Sequence, residues 1–197
     1  MTGSYFRNHH LGGIAMSSKT MKFAVVLFFI FSVLGCATKV YLNPDAYKPN
    51  IVLNQNKRFL NKKIYMHYFT NSAQNTSRYA YYSPDERIRY EANQPLDSYF
   101  WQCFRYAFDE IGVVVSPYEY GMIEFNYELV SLTDQMFRFN VNLTKNRSTI
   151  FQKMYSVAMT PPEGTSVTSL EARAYKLVDK SFETIINDPA FLASFGD

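Results

Sequence analysis

The stretch that decides the fold runs from Met122 to Ala158 and reads MIEFNYELVSLTDQMFRFNVNLTKNRSTIFQKMYSVA. Apolar and polar residues alternate through its first segment, Met122 to Leu132, and through its second, Met136 to Thr144. Strict alternation indicates strands with one buried face. A third segment, Thr149 to Ala158, follows a short polar turn, so the three segments are predicted to form an antiparallel meander.

Helical patterns lie on both sides of this meander. Between Pro95 and Gly112, apolar residues recur at spacings of three and four, which indicates an amphipathic helix. A capping box at Thr168-Ser169-Leu170-Glu171 starts a second helix, and Asp188-Pro189 ends it. The predicted fold is therefore α+β, with two helices packed on one face of a mostly antiparallel sheet.

A further strand is predicted at Lys63 to Phe69, where Ile64, Met66 and Tyr68 share one face and His67 lies on the other. His67 is the only histidine beyond residue 10, and no acidic or thiol side chain stands beside it at ligand spacing. A solvent-facing or hydrogen-bonded strand histidine is therefore expected, and no metal site is predicted.

The beginning of the chain carries a different signal. An apolar run of about twelve residues, Phe23 to Leu34, is too short to span a bilayer. Lys22 precedes the run and Gly35 follows it, which is the pattern of an export signal peptide. Residues 1–20 stand before a plausible later start at Met21, so they are interpreted as an over-called start.

The end of this run, Val33-Leu34-Gly35-Cys36, resembles the lipobox of bacterial lipoproteins. The resemblance implies that Cys36 becomes the first mature residue and carries lipid that anchors the protein to a membrane. Ala37 after the cysteine implies sorting to the outer membrane, facing the periplasm. We therefore expect a leader and lipoprotein signal peptide at 1–35, a lipidated cysteine and linker at 36–61, and a single α+β domain at 62–197. The linker would hold the domain off the membrane.

Charge and cysteine content exclude other classes. Removing residues 1–35 takes away Arg7, Lys19 and Lys22 and no acidic residue, which leaves as many basic as acidic side chains. No basic stripe remains, so a nucleic-acid partner is not expected. Cys103 would then be the one unmodified cysteine, and it is predicted to be a buried apolar residue.

Aromatic residues mark a candidate contact surface. Arg78 to Tyr82 and Arg87 to Tyr90 flank the turn Ser83-Pro84-Asp85-Glu86, which predicts a projecting hairpin. These tyrosines either contact a partner or cover the domain's own core, and the pattern leaves both open. The candidate partner-binding residues are Tyr79, Tyr81, Tyr82 and Tyr90, with Trp101 on the flank of the first helix.

No nucleophile-elbow, zinc-protease, phosphate-loop or C-x-x-C motif occurs, so neither an enzyme nor a cofactor is expected. The order of elements after Lys63 resembles YajG-like and ABC-transport auxiliary lipoproteins of the bacterial envelope. That resemblance implies a non-catalytic accessory or adaptor subunit of an envelope complex, such as a transport complex, with an envelope protein as partner. The alternative is a carrier that shelters an apolar ligand, such as a lipid, between the first helix and the sheet.

Overall fold

Short strands, one long β-meander and three helices make up the described chain. The computed structural model describes residues 38–52, 59–73, 81–82, 88–92, 94–133, 135–159 and 167–196. The strands in these ranges are β1 (Thr38–Leu42), β2 (Lys63–Met66), β3 (Thr70–Asn71), β4 (Tyr81–Tyr82), β5 (Ile88–Ala92), β6 (Val114–Ser116), β7 (Ile123–Leu132), β8 (Met136–Lys145) and β9 (Ser148–Ala158). The helices are α1 (Leu96–Glu110), α2 (Val167–Ile186) and α3 (Pro189–Gly196). The α+β class is thus confirmed.

The predicted meander is present, because β7 pairs antiparallel with β8 and β8 with β9. The rest of the six-stranded sheet differs from the prediction. The strand order is β6-β2-β7-β8-β9, with β3 also on β7, and β2 runs parallel to both β6 and β7. The sheet is therefore mixed. Parallel partners lie far apart in the chain, so alternation within one segment does not reveal them.

A second, three-stranded sheet has the order β1-β5-β4. β4 and β5 pair antiparallel, with Tyr81 opposite Tyr90, which is the pairing expected of the predicted hairpin. β1 runs parallel to β5, with Thr38 opposite Ile88. β1 lies in the segment that the sequence assigned to a linker.

Other residues of that segment pack against α2. Tyr47 is buried, and its hydroxyl donates to Asp179 Oδ1 at 2.6 Å. The hydroxyl of Tyr175 donates to the carbonyl of Asn43 at 2.8 Å, and the Val52 amide donates to Glu183 Oε1 at 2.7 Å. The polar composition of this segment suggested a solvated linker. Instead, its groups form hydrogen bonds with α2, which lies more than a hundred residues later in the chain. Ala37–Asp197 forms one compact unit.

There are three described helices rather than the two predicted. Asp188 does end α2, but its carboxylate also accepts from the Ala190 amide at 2.9 Å, and Pro189 takes the first position of α3. An aspartate cap followed by proline starts a helix as readily as it follows one. Within the described residues, no helix combines the length and hydrophobicity required to cross a bilayer.

Aromatic rings fill the centre of the core. The ring of Phe104 in α1 lies 5.1 Å from that of Tyr127 in β7, 5.3 Å from that of Phe182 in α2 and 5.6 Å from that of Phe69. Phe191 of α3 contacts Phe125 of β7 at 6.4 Å. Each such ring removes a large apolar area from water, and tilted or edge contacts add to that stabilisation.

Cys103 in α1 is fully buried, as predicted. Burial raises the pKa of its thiol well above the usual range, because the thiolate would lose hydration. The thiol therefore stays protonated, which is the state of a structural rather than a reactive cysteine.

Replacing the central ring tests this core. We expect Phe104→Ala to lower the free energy of unfolding by about 3–5 kcal/mol, since it removes a fully buried ring and leaves a cavity. Tyr120→Ala, at a side chain that is 96% exposed, should change it by less than about 0.5 kcal/mol. Chemical denaturation followed by circular dichroism measures both. Equal losses in the two variants would contradict this view of the core.

Candidate functional site

A groove of about 480 Å³ lies where α1 meets the β2 and β6 side of the sheet. Its wall combines aromatic, aliphatic and charged side chains. The lining residues are Tyr65, Met66, Tyr68, Trp101, Arg105, Asp109, Val115, Ser116 and Pro117. With both a cation and a carboxylate in the wall, the groove suits a mixed polar and apolar ligand or peptide better than a plain hydrocarbon.

Tyr68 and Trp101 form the aromatic part of this groove, with ring centroids 6.4 Å apart. The prediction that Tyr68 shares one face with Ile64 and Met66 is wrong. β2 ends at Met66, so the alternation stops there: Tyr68 is 88% exposed, and Phe69 is buried instead. Trp101 is half-buried, and its Nε1 has no hydrogen-bond partner in the part of the chain that the structure describes.

The other sequence-predicted contact residues are placed only in part. Tyr81, Tyr82 and Tyr90 lie on β4 and β5, separate from the six-stranded sheet that borders the groove. Tyr79 and Cys36 fall outside the described residues. Of the described side chains, Tyr68 is the aromatic neighbour that the structure gives Trp101 in this groove.

Two further tyrosines were missed by the sequence analysis. Tyr118 is 76% exposed and Tyr120 is 96% exposed, both in the connection between β6 and β7. Pro117 before them and Gly121 after them, the latter at φ +72°, marked this connection as a turn. Exposed tyrosines on such a turn were as good a contact signal as those of the hairpin.

His67 has carboxylate neighbours that spacing along the sequence did not indicate. Its Nε2 lies 3.5 Å from Glu124 Oε2, and ligand atoms of His67, Glu119 and Glu124 all lie within 4.8 Å of one another. The reason is the parallel pairing of β2 with β7, in which Tyr65 is opposite Glu124. Spacing along the chain cannot reveal a partner that a distant strand supplies.

The outer edge of β9 carries a second candidate surface. β9 is the last strand in the order of the sheet. Beside it, the Met159 amide donates to the Gln135 carbonyl of the β8 side at 2.9 Å, and this bond shows which residues of β9 direct their backbone groups towards β8. In an antiparallel pair, alternate residues direct their N–H and C=O groups to the neighbouring strand and the others direct them away. The groups of Gln152, Met154 and Ser156 therefore point away from β8.

Side chains from the helices cover the two ends of this edge. The Ala158 carbonyl accepts from Lys180 Nζ at 3.2 Å, and the Ile150 carbonyl accepts from Ser194 Oγ at 3.3 Å. Between them, Gln152, Met154 and Ser156 are exposed, and Met154 is 57% accessible. Among the described residues, the centre of the edge has no covering element.

The carboxylate of Asp188 binds two side chains of β9. Its Oδ2 accepts from Lys153 Nζ at 2.6 Å and from the Tyr155 hydroxyl at 2.8 Å. Burial by itself raises the pKa of Asp188, but the hydrogen bonds from Lys153, Tyr155 and the Ala190 amide outweigh it and lower that pKa below its usual value. One carboxylate thus joins the start of α3 to the strand that carries the open edge.

Comparison with solved structures shows the fold but no activity. Protein XCC0632 from Xanthomonas campestris, of family-model DUF330, is 10% identical, with a TM-score of 0.57 over 79% of this chain and 96% of that one. An uncharacterized protein is 11% identical, with a TM-score of 0.52 over 76% of this chain and 97% of its own. No family model matches, and no curated protein does. At these identities the likeness extends to the fold alone.

Acid titration of unfolding tests the Asp188 network. The pKa of Asp188 is lower in the folded state than in the unfolded state, where it is about 3.9. Its contribution to the free energy of unfolding is therefore present above the unfolded-state pKa and is lost as the pH falls through the folded-state pKa. We expect Asp188→Asn to lower the free energy of unfolding by about 2 kcal/mol near neutral pH. In this variant the free energy of unfolding should also fall less steeply as the pH is lowered. Asp109→Asn, at an exposed position, is the control. If the free energy of unfolding of Asp188→Asn fell as steeply in acid as that of the unmodified chain, the stabilising role of the Asp188 carboxylate would be refuted.

Proposed function

We propose that this protein is a non-catalytic, lipid-anchored accessory subunit of a bacterial envelope complex, and that it binds a partner protein through the outer edge of β9. The observation that carries the proposal is the row of outward-directed backbone groups at Gln152, Met154 and Ser156. A strand with such an edge accepts an extended segment of another protein, whose main chain supplies the missing hydrogen bonds.

The anchor in this proposal is Cys36, on the outer membrane and facing the periplasm. Its support is the lipobox resemblance of Val33-Leu34-Gly35-Cys36. Thr38 begins β1 only two residues later, and a chain of two residues reaches about 7 Å at most. Since residues 43–52 pack against α2, the proposed anchor places the domain at the bilayer surface rather than on a long tether.

We also infer that the helices cover one face of the six-stranded sheet. Phe108 of α1 and Phe191 of α3 both contact the ring of Phe125 in β7, at 5.2 and 6.4 Å. The fold of the DUF330 neighbour is compatible with the YajG-like and transport-auxiliary lipoproteins that the element order resembles. Neither point identifies the partner, which the edge chemistry describes only as a protein with an extended segment.

The alternative, a carrier of an apolar ligand, needs space between α1 and the sheet. In the described residues that space holds packed rings: Phe100 stacks on Phe137 at 5.1 Å, and Phe108 meets Phe125 edge-on at 5.2 Å. The groove beside Tyr68 is bordered by Arg105 and Asp109, which a hydrocarbon chain would leave unpaired. These contacts favour the adaptor. Lipid that co-purifies with the chain in a fixed ratio would favour the carrier.

Crosslinking tests the β9 edge. A photoreactive residue at Gln152, in chain expressed in a bacterial host, should crosslink to one envelope protein in the membrane fraction. Met154→Pro should abolish that product, because it removes an outward N–H while the β8 ladder, which uses other amides, stays intact. Met154→Leu keeps the N–H and should retain the product. Mass spectrometry identifies the crosslinked protein.

The other outcomes of this experiment are informative. A product of twice the chain mass would assign the edge to a second copy of this chain. A product that survives Met154→Pro but is lost in Tyr81→Ala with Tyr90→Ala would move the contact to the β4 and β5 hairpin. Either result, or no product at all, would overturn the proposal for β9.

Membrane fractionation tests the anchor. We expect Cys36→Ser to release the chain from membranes, because several acyl chains bury many methylene groups that one serine cannot replace. Intact mass spectrometry of the membrane-extracted protein should give the mass of residues 36–197 plus diacylglycerol and one acyl chain. Tight membrane association of Cys36→Ser would contradict lipidation as the anchor.

A further inference from the structure

Three potential metal ligands converge on the side of the sheet that Tyr65 and His67 share. A ring nitrogen of His67, a carboxylate oxygen of Glu119 and one of Glu124 all lie within 4.8 Å of one another, and His67 Nε2 lies 3.5 Å from Glu124 Oε2. The His67 side chain is 39% exposed and that of Glu124 is 15% exposed. The group is thus reachable from solvent while one of its carboxylates is held largely within the protein.

Backbone structure positions each of the three residues. His67 follows the last residue of β2, and its amide donates to the Phe125 carbonyl in β7 at 3.2 Å. Glu124 lies on β7 beside that contact. Glu119 begins a turn in which its carbonyl accepts from the Met122 amide at 3.1 Å, with Gly121 at positive φ. The convergence therefore follows from strand register and a defined turn.

The charges around this group favour a cation. Glu119 and Glu124 make no ion pair with a lysine or arginine among the described residues. Two carboxylates that approach this closely repel each other. A bound divalent cation would offset that repulsion and would use the lone pairs of all three side chains.

The ligand types indicate which cation fits. An imidazole nitrogen with two carboxylate oxygens suits zinc, whereas calcium and magnesium prefer oxygen ligands throughout. Three protein ligands leave one position of a tetrahedral site for water. The Thr144 hydroxyl donates to Glu124 Oε2 at 2.5 Å, and the Tyr65 ring meets that of His67 edge-on at 5.0 Å. Outer contacts of this kind hold ligands in orientation.

We propose that His67, Glu119 and Glu124 bind a zinc ion. The ion would join the end of β2 to β7 and to the turn that follows β6. That turn continues from Ser116 and Pro117, which line the groove beside Trp101. Zinc would therefore fix one wall of the groove, a role that depends neither on the lipid anchor nor on the β9 edge.

Calorimetric titration with Zn²⁺ tests the site. The protein, purified in detergent, carries His9→Ala and His10→Ala so that His67 is its only histidine whether or not residues 1–35 are removed. We expect one zinc ion per chain, with affinity at least about tenfold weaker in His67→Ala and in Glu124→Gln. The matched control is Glu128→Gln on the same strand, where Ser72 and Asn140 already donate to the carboxylate. It should bind zinc as the parent chain does.

Two further measurements keep the test independent of folding defects. Zinc should raise the melting temperature of the parent chain by mass action and raise that of His67→Ala less at the same zinc concentration. Cobalt in place of zinc should give the intense visible absorption of a four-coordinate site, and Glu124→Gln should lose it. If zinc does not bind, the proposal is wrong. If zinc binds equally well to the parent, His67→Ala and Glu124→Gln chains, it is an adventitious ion only and the proposal is wrong as well.

Discussion

The contact of Phe104 with its neighbouring rings is the constraint on which the rest of the structure depends. This side chain of α1 contacts rings from β7, from α2 and from the segment that follows β2. A change in the distance between any two of these elements would leave a cavity beside the buried ring or force a clash with it. The packing of this one ring therefore constrains all of these distances at once. The groove, the histidine cluster and the start of α3 all lie on elements that this packing positions.

Local patterns revealed the parts of the fold whose partners are close in the chain. Alternation such as Phe137, Phe139 and Val141 against Arg138 and Asn140 predicted β8, and short turns predicted its antiparallel neighbours. The parallel ladders of β2 with β6 and β7 were not predictable in this way. Their partners lie far apart in the chain, and no residue within β2 signals which distant strand lies beside it.

The same limit explains what the sequence revealed of the sites. Cys103 was recognisable as a buried residue because its helical spacing already placed it on the apolar stripe. The carboxylate beside His67 was not predicted, because Glu124 becomes its neighbour only through strand register. Tyr68 was assigned to the wrong face because the end of β2 at Met66 carries no proline or glycine to mark it. Residues that meet across distant segments need the fold before they can be grouped.

The open part of the β9 edge is short, and its length bears on the proposed adaptor role. Lys180 and Ser194 occupy the carbonyls of Ala158 and Ile150, so an added strand could pair only along the central residues around Met154. Such a short ladder gives a weak contact and discourages indiscriminate strand addition. A weak contact is sufficient when both partners are held at one membrane, since anchoring raises their effective concentration. The two features are therefore complementary. The covered ends of the β9 edge limit which segments can bind and keep the affinity low, and the proposed lipid on Cys36 compensates for that low affinity.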